Sequence, residues 1–170
     1  MDNANASHHD EFPEVPELHW SPEMELGDAR MDRTHEEMVD LVARLRALPH
    51  AEQLDLYREL LRHTVEHFAQ EERWMIATGF NADNCHASHH ATILDTMRQV
   101  ETHFLQGDEE IIDRMGAALA EWLPMHASTM DAGLALHMKN VKFDSRTETL
   151  EDPSLVTPAT MSGCGSVTCS

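Results

Sequence analysis

A chain of 170 residues has room for one domain with a proper core, plus tails. Its formal net charge of −19 argues against nucleic acid and anionic membrane as partners, because both need clustered Lys and Arg. No apolar run approaches the roughly 20 residues needed to span a bilayer, and Met1–Asp10 lacks the basic start and apolar centre of a signal peptide, so a cytoplasmic protein is expected.

Residues 1–30 read as an arm. Pro13, Pro16 and Pro22 prevent a continuous helix, and Trp20 and Leu26 are its strong apolar anchors. The histidines of the arm (His8, His9 and His19) lie in irregular sequence and read as surface residues. A first helix is expected from about Asp32, taken as its N-cap, to Pro49. Its inward face carries His35, Met38, Leu41, Val42, Leu45 and Leu48 at steps of three and four.

The second helix, roughly 52–78 and closed by Gly79, places Tyr57, Leu60, Leu61, Thr64, His67, Phe68, Glu71, Trp74 and Met75 on one face. Glu71 is thus a carboxylate on an apolar face, four residues after His67. Such a group is costly without a partner, and metal coordination is one stable solution. On this stretch alone, a His–Glu hydrogen bond near the helix edge is the simpler reading. The third helix follows Asn81–Asn84 and runs His86, His90, Ile93, Met97, Val100, Phe104 before Gly107. His86 and His90 at i, i+4 have the spacing by which two imidazoles reach one metal from a helix.

The fourth helix reads Ile112, Met115, Leu119, Trp122, His126 and extends to about 142. Asp131, five positions after His126, would lie about 140° away on a regular helix. It shares the inward face only if the helix widens locally in a π-type turn. Pro124 has no N–H for the Ala120 carbonyl, so an irregularity is predicted between Trp122 and Asp131. From Asp144 the periodicity is lost. Residues 144–170, with Cys164 and Cys169, read as a flexible Ser/Thr-rich tail.

Four amphipathic helices with short connections predict an all-α fold, an antiparallel up-down-up-down four-helix bundle over residues 31–143. All four helices turn polar residues inward: His35; His67 and Glu71; His86 and His90; His126 and Asp131. Five imidazoles and two carboxylates exceed what one tetrahedral zinc can use, and they suit two metals with the carboxylates bridging. Pairwise hydrogen bonding of seven such residues in a small core is a poor alternative.

The series Asp32-x-x-His35, His67-Phe-x-x-Glu71-Glu72, His86-x-x-x-His90 and Trp122-Leu-x-x-His126-x-x-x-x-Asp131, with Trp20-Ser21 and Gly27 before it, resembles the hemerythrin family, in particular its bacterial single-domain members. The resemblance covers about residues 20–143. It implies two iron ions with a bridging oxo or hydroxo group, one held by His86, His90 and His126. The other would be held by His35 and His67 and keep an open position, with Glu71 and Asp131 bridging the two. Dioxygen would bind at the open iron, and other small ligands such as nitric oxide or azide-like anions could take its place. The implied function is reversible dioxygen carriage, storage or delivery by a protein that is not an enzyme. Alternatives are an oxygen or redox sensor or interaction module using the Cys-bearing tail, and a di-iron enzyme consuming ferrous iron, peroxide or nitric oxide.

An apolar wall around the open position would limit water and proton access. Trp74, Trp122 and Leu123 are candidates for it, and plain core packing fits each of them as well. Ala127 stands where the family commonly has a bulky aliphatic residue, which implies a wider or wetter pocket and faster autoxidation. The histidines His63, His89, His103 and His137 are not expected to be ligands. Cys85 reads as an ordinary small core residue, with an activated thiol at the helix start as the other option.

Overall fold

The computed structural model describes residues 17–80 and 85–156. Four long helices form the body: α1 (Ala29–Ala47), α2 (Gln53–Thr78), α3 (Cys85–Leu105) and α4 (Ile111–His126). The fourth continues through a π turn at Ala127–Asp131 into α5 (Ala132–Asn140). Short connections make successive helices antiparallel. Helix α1 packs on α2 and α4, and α3 packs on the same two, which closes the up-down-up-down bundle. No helix among the described residues is long and apolar enough to cross a membrane.

The core is in two parts. One cluster gathers Met38, Val42, Leu45, Tyr57, Leu60, Met97, Ile112, Leu119 and Leu123. The other gathers Met31, Trp74, Met75, Leu134, Ala135, Met138 and Phe143. Along α1, α2 and the fourth helix, the inward polar residues fall between the two: His35 between Met31 and Met38, Glu71 between Leu60 and Trp74, Asp131 between Leu123 and Leu134. Gly79 ends α2 at φ +66°, a left-handed conformation that costs glycine little.

Three local expectations need correction. Helix α1 starts one turn before Asp32. Asp28 is its N-cap and accepts from the amides of Arg30 and Met31 at 3.1 and 3.0 Å. The earlier start brings Met31, fully buried, into the second core cluster. Asp32 instead ties down the end of the arm, accepting from the amides of Leu26 (2.7 Å) and Gly27 (3.1 Å). Within the arm, Leu18 is buried, Trp20 and Met24 pack on the first cluster, and Leu26 packs on the second.

The segment from Asp144 is also not uniformly a tail. Phe143–Asp144 and Thr149–Leu150 pair antiparallel, with Phe143 opposite Leu150 and Asp144 opposite Thr149. Phe143 is buried, the Ser145 hydroxyl donates to Asp28 at 2.8 Å, and Glu148 accepts two bonds from Arg73 at 3.0 and 3.3 Å. Strands of two residues leave no periodic trace, and the anchoring comes from contacts distant in sequence. Cys164 and Cys169 lie outside the described residues, as do residues 1–16. Cys85, the first residue of α3, is half-buried and disulfide-bonded. It is therefore not the plain core residue that its position suggested.

Candidate metal centre

Seven side chains converge where the two core clusters part. The donor atoms of Glu71, His86, His90, His126 and Asp131 form one group, and those of His35, His67 and Glu71 a second; within each group they lie within 4.8 Å of one another. His35, Glu71, His90 and Asp131 are fully buried, and His67, His86 and His126 are no more than 4% exposed. Each carboxylate turns one oxygen to each side. Glu71 Oε1 is 3.0 Å from His67 Nε2 and 3.8 Å from His35 Nε2, while its Oε2 is 3.3 Å from His86 and 3.4 Å from His90. Asp131 Oδ2 is 3.1 Å from His35, and Oδ1 is 2.9 Å from His86 and 3.2 Å from His126.

Backbone geometry explains how one helix supplies both His126 and Asp131. The Ala132 amide bonds to the Ala127 carbonyl, a five-residue step, and the Thr129 hydroxyl binds the Met125 carbonyl at 2.7 Å. The extra residue brings Asp131 round to the His126 face. The π turn lies within the stretch where Pro124 and the spacing predicted an irregularity.

The donor set fits metal better than it fits itself. His35 Nε2, Glu71 Oε2 and both Asp131 oxygens are buried with no aligned hydrogen-bond partner among the described residues. Their neighbours are within 3.8 Å, but the N–H directions miss the oxygens. Two imidazole nitrogens, His90 Nε2 and His126 Nε2, face each other at 3.0 Å. Adjacent ligands on an octahedral ion with bonds of ~2.1 Å lie about 3.0 Å apart, so the spacing within the cluster is that of ligands around common points.

Electrostatics tells the same story. Burial and the neighbouring Asp131 would raise Glu71, but His67 and His86 more than offset them and bring it down to about 2. Burial likewise opposes ionisation of Asp131, and the close approach of the His126, His35 and His86 imidazoles holds it well below the usual carboxylate range. Burial disfavours a proton on His86, yet Asp131 and Glu71 push it up to about 9. His35 is raised against its burial by Asp131 and Glu71. His90 goes the other way, to about 3, because burial dominates and His86 and His126 add to it. Two ionised carboxylates that retain protons on nearby imidazoles make a cluster where a cation can replace those protons.

Around the ligands, Phe68 stacks on His90 with centroids 3.8 Å apart and planes 3° from parallel. The half-buried Trp122 stacks on His126 at 4.3 Å. Leu123 is fully buried in the first core cluster, and Ala127 is buried at the start of the π turn. Trp74 packs in the second cluster with Met31, Met75 and Leu134, and among the described residues the Phe and Trp rings against the seven converging side chains are those of Phe68 and Trp122. Of the remaining histidines, His63 donates to the Thr34 carbonyl at 3.1 Å and His137 to the Thr78 carbonyl at 2.9 Å. His89 and His103 are exposed. The sequence reading had Phe68 on the inward face but not its stacking role; an aromatic directly after His67 was the available signal.

A family model described as the hemerythrin HHE cation binding domain matches residues 26–135, a span containing all seven converging side chains and the π turn. The chain belongs to the hemerythrin family. Hemerythrin relatives of similar size bear this out. A bacteriohemerythrin of Ralstonia nicotianae is 29% identical over 134 residues, covering 79% of this chain and 98% of the relative. A bacteriohemerythrin of Pseudomonas aeruginosa is 27% identical over 120 residues, 68% of this chain and 78% of the relative. One of Stenotrophomonas maltophilia is 25% identical over 130 residues, 72% and 82%. The hemerythrin domain of this chain thus carries a buried His/Glu/Asp cluster able to bind metal.

Proposed function

We propose that this hemerythrin-family protein is a cytoplasmic di-iron protein that binds dioxygen reversibly, for carriage, storage or delivery, and that it does not turn over as an enzyme. The observation that carries the reading is the asymmetry of the cluster. Three imidazoles serve one side and two the other, with both carboxylates spanning them. The His35–His67 side is short of a ligand, and an open position is what separates a reactive site from a structural one. The names of the relatives support the same function.

In this reading His86, His90 and His126 would hold one iron and His35 and His67 the other, with Glu71 and Asp131 serving both and an oxo or hydroxo group completing the centre. When bound, the irons would supply the electrons that dioxygen binding needs. The chain's own residues do the rest. Phe68 and Trp122 fix the imidazole planes of His90 and His126 by stacking. The buried Leu123 and Ala127 and the half-buried Trp122, all on the His126 helix, keep water from the His90–His126 side of the centre. Trp74 supports this shell from the second core cluster. Nitric oxide and azide-like anions are small enough to compete for the same position.

The deciding test is an optical spectrum of the anaerobic ferrous protein, repeated in air and again after argon purging. A visible band that appears with air and disappears on purging is the expected result. Two bound irons with no such band would end the carrier reading.

The disulfide at Cys85 supports a second reading, a redox sensor. Cys85 immediately precedes His86 on the first turn of α3, so forming or breaking its bond alters the chain next to a ligand. Reduction of the disulfide should then shift the iron spectrum. In a plain carrier it should not.

A further inference from the structure

The two sides of the centre are enclosed differently. Aromatic rings close the His90–His126 side, whereas a polar seam between α1 and α2 closes the His35–His67 side. Gln70 is only 6% exposed. Its Oε1 accepts from Arg30 Nε at 2.8 Å, and its amide nitrogen donates to the Thr34 hydroxyl at 3.4 Å. Two turns back along α2, His63 Nε2 donates to the Thr34 carbonyl at 3.1 Å. Arg30, Thr34, His63 and Gln70 line a groove of about 440 Å³ between the two helices, and His67 is in its lining. His67 Nδ1 is buried and has no hydrogen-bond partner among the described residues.

We propose that this seam is a gate through which small anions and their conjugate acids reach and leave the His35–His67 side of the centre, with Gln70 as the residue that sets the rate. The inference rests on the metal-centre reading above and deepens it. A buried glutamine amide beside a ligand is an expense that a leucine would avoid, since the amide must be hydrogen-bonded on both ends. One of its bonds, to Thr34, is long at 3.4 Å and the weaker of the two. Breaking it lets the Gln70 side chain swing toward the exposed Arg30, which uncovers the groove floor at His67. The groove also carries Glu66 and Glu37, the latter paired with Arg33, and Arg73 is engaged by Glu148; the Arg30 guanidinium next to Gln70 is the cation an arriving anion meets beside the gate. Dioxygen, being apolar, needs no such path; the seam selects for polar species such as hydroperoxide or azide.

The experiment uses the iron-loaded full chain and two readouts: stopped-flow association and dissociation of azide, and the rate at which an iron chelator strips the metal. Gln70→Ala should speed azide binding and release together, by about tenfold each, as expected for loss of one or two modest hydrogen bonds. The azide equilibrium should be nearly unchanged, and chelator stripping should accelerate. Gln70→Leu, which fills the same space without polar atoms, should slow both azide rates. Arg30→Gln should lower the association rate and remove most of its salt dependence. Unchanged rates in both Gln70 variants, or a change in azide equilibrium carried by dissociation alone, would overturn the gate. If iron-loaded protein takes up no azide at all, the open-position reading fails instead, and the chelator rates still decide whether Gln70 controls access.

Discussion

The two sides of the centre share Glu71 and Asp131 yet are built from different materials. On the His86–His90–His126 side, two of the three imidazoles from α3 and α4 are held by stacked rings, Phe68 lying parallel to His90 at 3.8 Å and Trp122 on His126. On the His35–His67 side, two imidazoles from α1 and α2 are backed by hydrogen bonds through Gln70, Thr34 and His63. A stacked ring holds its partner through an apolar face that exchanges nothing with water, whereas a hydrogen-bonded seam can open and re-form. On the proposed reading, one side is the anchor and the other is where ligands come and go.

The largest effect should follow from removing what the two sides share. Glu71 belongs to both donor groups, so on the di-iron reading Glu71→Ala should cost both metals, with iron content by elemental analysis falling from the expected two per chain to well below one. Retention of two irons would refute the shared-bridge geometry. Next, Phe68→Ala tests the anchor. Truncating a buried phenylalanine should destabilise the protein by about 3–5 kcal/mol in urea denaturation. A cost below ~1 kcal/mol would mean the ring merely fills space.

The smallest and broadest effect is the pH dependence of the metal-free protein. His90 is depressed to about 3 from an ordinary 6.5, so unfolding takes up a proton between those values and stability rises with pH there. His86 is raised to about 9, so its stabilisation is complete below 6.5 and is lost as pH climbs through 9. Glu71, lowered to about 2 from 4.5, adds stability that disappears as pH falls through that window. Thermal melts of metal-free protein should therefore show a maximum near pH 6.5. A melting temperature still rising above pH 8 would mean that His86 is not held protonated by Asp131 and Glu71.

Much of this was legible in the chain. The bundle followed from runs such as Met38, Leu41, Val42, Leu45, because helical periodicity is local and repeated. The inward positions of His35, His67, Glu71, His86 and His90 followed from the same periodicity, since polar residues on an apolar stripe stand out. Asp131 was legible only through its misfit: five residues from His126, with Pro124 nearby, it required the π turn that the fold contains. What depends on distant partners was not legible. The cap moved from Asp32 to Asp28 because Met31 had a core to join, and Phe143 pairs with Leu150 across a strand too short to leave a pattern. The Gln70 seam also joins residues far apart in sequence, and each of its members alone reads as ordinary, as Cys85 does.

The π turn has one more consequence. Leu134, Ala135 and Met138 follow Asp131 at helical steps and pack in the second core cluster, while Leu119 and Leu123, which precede His126, pack in the first. The inserted residue therefore sets the phase of two apolar stripes on one helix, as a leap day keeps a calendar in step. Deleting any residue of 127–130 would rotate everything beyond by about 100°, taking Leu134 and Met138 off their partners at the same stroke as Asp131. A lineage could lose its metal by changing one ligand, but it could not lose the turn without repacking half of its interior.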